Sequence, residues 1–104
     1  MTRIGFKMQL KTGKRNEYKR RHDTIWPELV KLLKDAGIND YVIFLDEETL
    51  GLFATLTIDD PSRLAELPKN PVVQRWWSYM ADLMETNADQ SPLSKPLQEM
   101  FYLQ

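Results

Sequence analysis

The sequence contains no cysteine, which excludes a disulfide framework, a thiolate metal site and a thiol nucleophile. It has one histidine, His22, which excludes a multi-histidine metal centre. It also lacks an excess of either charge. Fourteen Lys+Arg against fifteen Asp+Glu leave a formal charge of −1, so no global field draws the chain to nucleic acid or to an anionic membrane. No apolar run approaches the ~20 residues of a membrane span. The opening segment, Met1 to Lys7, alternates polar and apolar residues and has no signal-peptide core. No glycine-rich phosphate loop is present, and the acidic residues are scattered without metal-ligand spacing. What is present is a chain of 104 residues, 42% hydrophobic and 28% charged, sufficient for one domain (1–104) with a real core. These features predict a small, soluble, cytoplasmic protein whose chemistry runs on protons, with no cofactor and no metal.

Hydrophobic periodicity gives the element order. Ile4, Phe6, Met8 and Leu10 alternate with Gly5, Lys7 and Gln9, the pattern of a strand with one buried face. From about Lys14 to Ala36 the spacing of Tyr18, His22, Ile25, Leu29, Leu32/Leu33 and Ala36 becomes helical, with Gly37 placed to end the helix. Pro27 interrupts this run, which predicts two helical pieces meeting near residues 23–26, with Thr24 as the second N-cap. Tyr41 to Leu45 is apolar on both faces and predicts a strand covered on both sides. A polar turn at 46–49 then leads to a partner strand, Leu52 to Ile58. Asp60-Pro61 and Asn70-Pro71 each pair an N-cap with a helix-starting proline. The first predicts a short helix over 62–67, stopped by Pro68, and the second a helix running to about Thr86. On that helix Val72, Val73, Trp76, Trp77, Met80, Leu83 and Met84 fall within an arc of roughly 140° at about 100° per residue. A loop over 87–96 and a last strand over 99–103 complete the chain. The order β-α-β-β-α-β is the ferredoxin-like plan of the α+β class, an antiparallel sheet with helices on one face. Its apolar outer face predicts that a second copy packs there, making a homodimeric α+β barrel.

His22 is the one side chain whose ordinary pKa lies near neutrality, and it shares the inward stripe with Tyr18 and Ile25. Spacing alone also allows a half-buried histidine whose role ends with a hydrogen bond. Trp76 and Trp77 flank the second helix's apolar arc; they either fill core or form a wall on which the C–H face of a sugar stacks, with Tyr18 and Tyr41 adding hydroxyls. The basic cluster Lys11, Lys14, Arg15, Lys19, Arg20 and Arg21 could suggest an RNA-binding face. However, Gly51-Leu52-Phe53-Ala54-Thr55-Leu56 lacks the basic residue and the aromatic placement that such modules need.

These residues together carry a family resemblance. Tyr18-Lys19-Arg20-Arg21-His22 followed by Ile25-Trp26-Pro27-Glu28-Leu29 is similar to the first-helix signature of L-rhamnose mutarotases. Tyr41 to Asp46 with Leu52-Phe53-Ala54 resembles their central hairpin, Gln74 to Met80 their second-helix motif, and Leu97 to Leu103 their closing strand. One loop departs: it reads Asn87-Ala88-Asp89-Gln90-Ser91-Pro92 where the family tends to have Asn-Pro-Asp-Asn-Ser-Pro. The resemblance implies a homodimer that interconverts the α and β anomers of L-rhamnopyranose without a cofactor. By the same resemblance His22 is the proton donor, and Tyr18, Tyr41, Trp76 and Trp77 contact the sugar. Two other classes fit the fold plan: a heme-degrading or antibiotic-biosynthesis-type monooxygenase, and a non-catalytic sugar-binding module.

Overall fold

A computed structural model describes residues 1–104. The chain runs β1 (Thr2–Gln9), α1 (Arg15–Asp23), α2 (Pro27–Asp35), β2 (Ile38–Asp46), β3 (Gly51–Ile58), a 3-10 segment (Pro61–Lys69), α3 (Pro71–Met80) and β4 (Lys95–Leu97). The strands form one antiparallel sheet in the order β2-β3-β1-β4. This is the ferredoxin-like α+β arrangement, with the helices on one face.

The inner face carries Ile4, Phe6 and Met8 of β1 opposite Leu56, Ala54 and Leu52 of β3. These residues pack on Tyr18, Leu29, Val73, Trp76, Met80, Leu83 and Met84 to make the core. Burying side chains of this size stabilises the fold by about 1.5–3 kcal/mol each. The two asparagine/aspartate caps form as the sequence predicts. Asp60 accepts from the Ser62 N–H at 3.1 Å and Asn70 from the Val72 N–H at 2.8 Å. Gly37 follows α2 at φ +85°, the left-handed conformation that glycine takes without strain.

Several boundaries differ from expectation. The first helical run does break near residue 24, but Thr24 closes α1 and Trp26, in extended conformation, caps α2 with Pro27 in its first turn. The short helix extends through Pro68 to Lys69 in 3-10 form. The α3 helix stops at Met80, six residues before Thr86, because the chain beyond it turns toward the end of β1. There Lys11 N–H bonds Leu83 C=O and Glu85 N–H bonds Gln9 C=O, both at 2.9 Å. The last strand is also displaced. Pairing of Lys95, Pro96 and Leu97 with Lys7, Phe6 and Gly5 closes the sheet, whereas the apolar stretch Glu99–Leu103 forms no strand and lies exposed. Proline is tolerated in β4 because an edge strand needs its N–H on one side only. In the single chain the Tyr41–Leu45 strand is covered on its inner face alone; Val42 and Phe44 are 40% and 65% exposed.

Candidate active site

A cavity of about 1080 Å³ lies between the inner face of the sheet and the helices. Tyr18, His22, Tyr41, Trp76 and Trp77 all line it, so the structure brings together every site residue expected from the sequence.

The α1 helix sets the geometry of the imidazole. Tyr18 and His22 stand one turn apart, their rings 4.5 Å apart and tilted by 34°. The His22 Nδ1 lies 3.1 Å from the backbone oxygen of Tyr18. A carbonyl can only accept, so Nδ1 carries the hydrogen, and in the neutral ring the lone pair resides on Nε2. No buried side-chain nitrogen or oxygen is left without a partner, and both His22 and Tyr18 line the cavity. Burial pushes the His22 pKa below its ordinary value, opposed by the Tyr18 carbonyl and by the charge of Asp23. Burial raises the Tyr18 phenol, helped slightly by Tyr41. Tyr41 is 41% exposed as a residue, yet crowding of its phenol pushes that group up to about 12. At neutral pH the cavity therefore presents one uncharged nitrogen base and two uncharged phenols. No three His, Asp or Glu side chains converge in a way that could hold a metal ion.

The two tryptophans differ. Trp76 is 8% exposed and meets His22 edge-on at 5.5 Å and 89°, Trp26 at 5.1 Å and 84°, and Tyr79 at 5.8 Å. Trp77, about 100° further round α3, is half-buried and lines the cavity as a wall. Trp26 and Tyr79 were not among the sequence candidates. The signal for them was an aromatic residue placed directly before a helix-starting proline, and another three residues after Trp76. Arg21 ties α1 to the end of α3. Its guanidinium lies 4.4 Å from the Tyr79 ring centre, pairs with Glu17 and Asp82, and donates to the Tyr79 carbonyl. The late loop contributes Gln90, Ser91, Pro92 and Ser94 to the lining, and Ser78 holds Gln90 by a hydroxyl hydrogen bond.

Fold and cavity together define a ferredoxin-like α+β chain with an aromatic-walled small-molecule site on the helical side of its sheet. A sequence profile described as L-rhamnose mutarotase matches residues 3–103. An L-rhamnose mutarotase from Mesorhizobium japonicum is 56% identical over 101 residues, 97% of this chain and 96% of that protein. One from Rhizobium meliloti is 52% identical over 99% of each chain. The crystal structure of an L-rhamnose mutarotase from Formosa agariphila superposes with a TM-score of 0.93 at 47% identity, covering both chains fully. The chain belongs to the L-rhamnose mutarotase family. A Chloroflexus aurantiacus protein described as an antibiotic biosynthesis monooxygenase shares the fold at a TM-score of 0.58 but only 17% identity, over 99% of this chain and 98% of that one.

Proposed function

We propose that this chain interconverts the α and β anomers of L-rhamnopyranose with His22 as the proton-transfer group. Tyr18, Tyr41, Trp76 and Trp77 hold the sugar. The observation that supports this reading is the Nδ1–H···O=C bond from His22 to Tyr18, which leaves the ring lone pair on Nε2 of a residue that lines the cavity.

The anomeric hydroxyl oxygen and the ring oxygen sit on the same carbon, C1, within reach of one nitrogen. Nε2 takes the proton from the anomeric hydroxyl while the C1=O bond forms and the bond from C1 to the ring oxygen breaks. The imidazolium, its Nδ1–H held by the Tyr18 carbonyl, then returns that proton to the former ring oxygen. Rotation about C1–C2 in the open-chain aldehyde, followed by the same steps reversed, closes the ring on the other face. His22 is thus base first and proton donor second, and general acid–base catalysis of this kind contributes about 10²–10⁴-fold. The phenols, kept neutral, donate hydrogen bonds to sugar oxygens. The indole faces and the methyl group of the 6-deoxy sugar match in polarity.

Family membership and the exposed outer sheet face also support a homodimer. Val42, Phe44 and Leu97 lie open on that face, and Met100, Phe101, Tyr102 and Leu103 lie open beyond it. The lack of cysteine supports a cytoplasmic setting, and no helix is long and apolar enough to cross a membrane.

The test is saturation transfer between the two anomeric proton signals of L-rhamnose, with His22→Asn beside the unmodified protein. Exchange is expected to fall by roughly 10²–10⁴-fold while sugar binding and folding persist. Exchange at the unmodified rate removes His22 from the reaction. Binding with no acceleration by the unmodified protein makes the chain a sugar-binding module.

A further inference from the structure

We propose that the β-bulge at Asp40 is the positioning device that aims Tyr41 into the cavity. In the ladder between β2 and β3, Ile38 pairs with Ile58 and Asn39 with Thr57, and the next pair is Val42 with Thr55. Three steps on β2 therefore span two on β3. Because side chains alternate strictly along a strand, one extra residue exchanges the two faces of everything that follows. Ile38 is 3% exposed and packs inward with Leu56 and Ile58. With unbroken alternation Asp40, Val42 and Phe44 would follow it inward, and Tyr41, Ile43 and Leu45 would point away from the helices. From Tyr41 onward the structure shows the reverse. Tyr41, Ile43 and Leu45 line the cavity, Tyr41 meets Phe6 edge-on at 6.1 Å and 74°, and Val42 and Phe44 are exposed.

Two features hold the extra residue. Asp40 has φ +50°, in the left-handed region that aspartate tolerates and β-branched residues avoid. The Asn39 carbonyl accepts a 3.0 Å hydrogen bond from the hydroxyl of Thr57, itself 5% exposed. The bulge thus lets Ile38 on one side of it and Tyr41, Ile43 and Leu45 on the other all face inward.

This inference rests on Tyr41 contacting the sugar, and the experiment separates the two. Anomer exchange is measured against rhamnose concentration for Asp40→Val, Asp40→Gly and Thr57→Val, each alone and combined with Tyr41→Ala. Valine at φ +50° opposes the bulge and is expected to lower kcat/KM about tenfold, whereas glycine keeps the conformation and stays within about twofold of the unmodified chain. In the Tyr41→Ala background neither Asp40→Val nor Thr57→Val should lower kcat/KM further, since a device acting through Tyr41 has nothing left to aim. If Asp40→Val does not fold, the Thr57→Val cycle decides. Full additivity in the cycles, or glycine as harmful as valine, overturns the role of the bulge. Full activity of Tyr41→Ala overturns the contact with the sugar, and the bulge's role with it.

Discussion

Replacing Trp76 or Trp77 with alanine separates a sugar contact that also packs the core from one that chiefly forms the wall, on adjacent residues of one helix. Trp76 has three ring neighbours within 6 Å, namely Trp26, His22 and Tyr79, two of them edge-on. Aromatic pairs of this geometry contribute about 0.5–1.5 kcal/mol each beyond their buried area. Removing the indole also leaves a cavity that Val73 and Met80, each fixed in the same core, cannot fill. Large-to-small changes of this kind cost about 3–5 kcal/mol. At about 4–8 °C per kcal/mol for a domain of this size, the melting temperature falls by well over ~10 °C. Trp77 is less deeply buried than Trp76, so Trp77→Ala is expected to cost less stability, but it removes the wall. Its effect is expected in rhamnose affinity, weakened about tenfold or more. Urea unfolding at fixed protein concentration and titration of the anomeric NMR signals measure the two quantities. Equal destabilisation by both changes, with no loss of affinity from Trp77→Ala, would falsify the division of roles.

The pH dependence follows from His22. Its folded pKa lies below that of the unfolded chain, so exchange is expected to hold steady above about pH 6.5 and to decline only below it, as Nε2 is protonated. Unfolding free energy declines in the same window as pH falls from the unfolded toward the folded pKa, because the unfolded chain takes up the extra proton. In His22→Asn that slope in stability disappears, and a profile unchanged by the substitution refutes the assignment. The unmodified chain is expected to sediment as a dimer, and Phe44→Glu, which places a charge on the exposed sheet face, as a monomer; an unchanged sedimentation coefficient refutes that face as the contact. Gly37→Ala forces an L side chain to φ +85°, with its Cβ 3.3 Å from Asp59, and lowers stability by about 1–2 kcal/mol in urea unfolding; no loss there argues against the left-handed turn.

The parts of the fold that were legible in the sequence are those fixed by local chemistry. Alternation in β1 and the caps at Asp60 and Asn70 each depend on a few neighbouring residues. So does the turn after Asp46, whose carboxylate accepts from Glu48 N–H and the Thr49 hydroxyl. The end of α3 was not legible, because its helical stripe continues through Leu83 and Met84 while the backbone there is claimed by β1, far away in sequence. β4 was hidden by Pro96, and the apolar tail after it imitated a strand that the isolated chain does not form. That the five expected residues share one cavity was legible because each sits on an inward stripe or carries the family motif. The bulge that brings Tyr41 among them was not. It is a mismatch between two strands and has no signature in either one alone.

The hydrogen bond from His22 to the Tyr18 carbonyl lies wholly within one turn of α1. It joins positions four apart, the spacing at which the helix's own ladder brings backbone groups together. The ring's tautomer is therefore set within that helical turn, independently of the sheet and of any neighbouring chain. A reactive group whose orientation is self-contained in this way tolerates drift in the surrounding walls. Changes in the loops and aromatic surfaces of the cavity therefore leave the tautomer of His22 as the helix sets it.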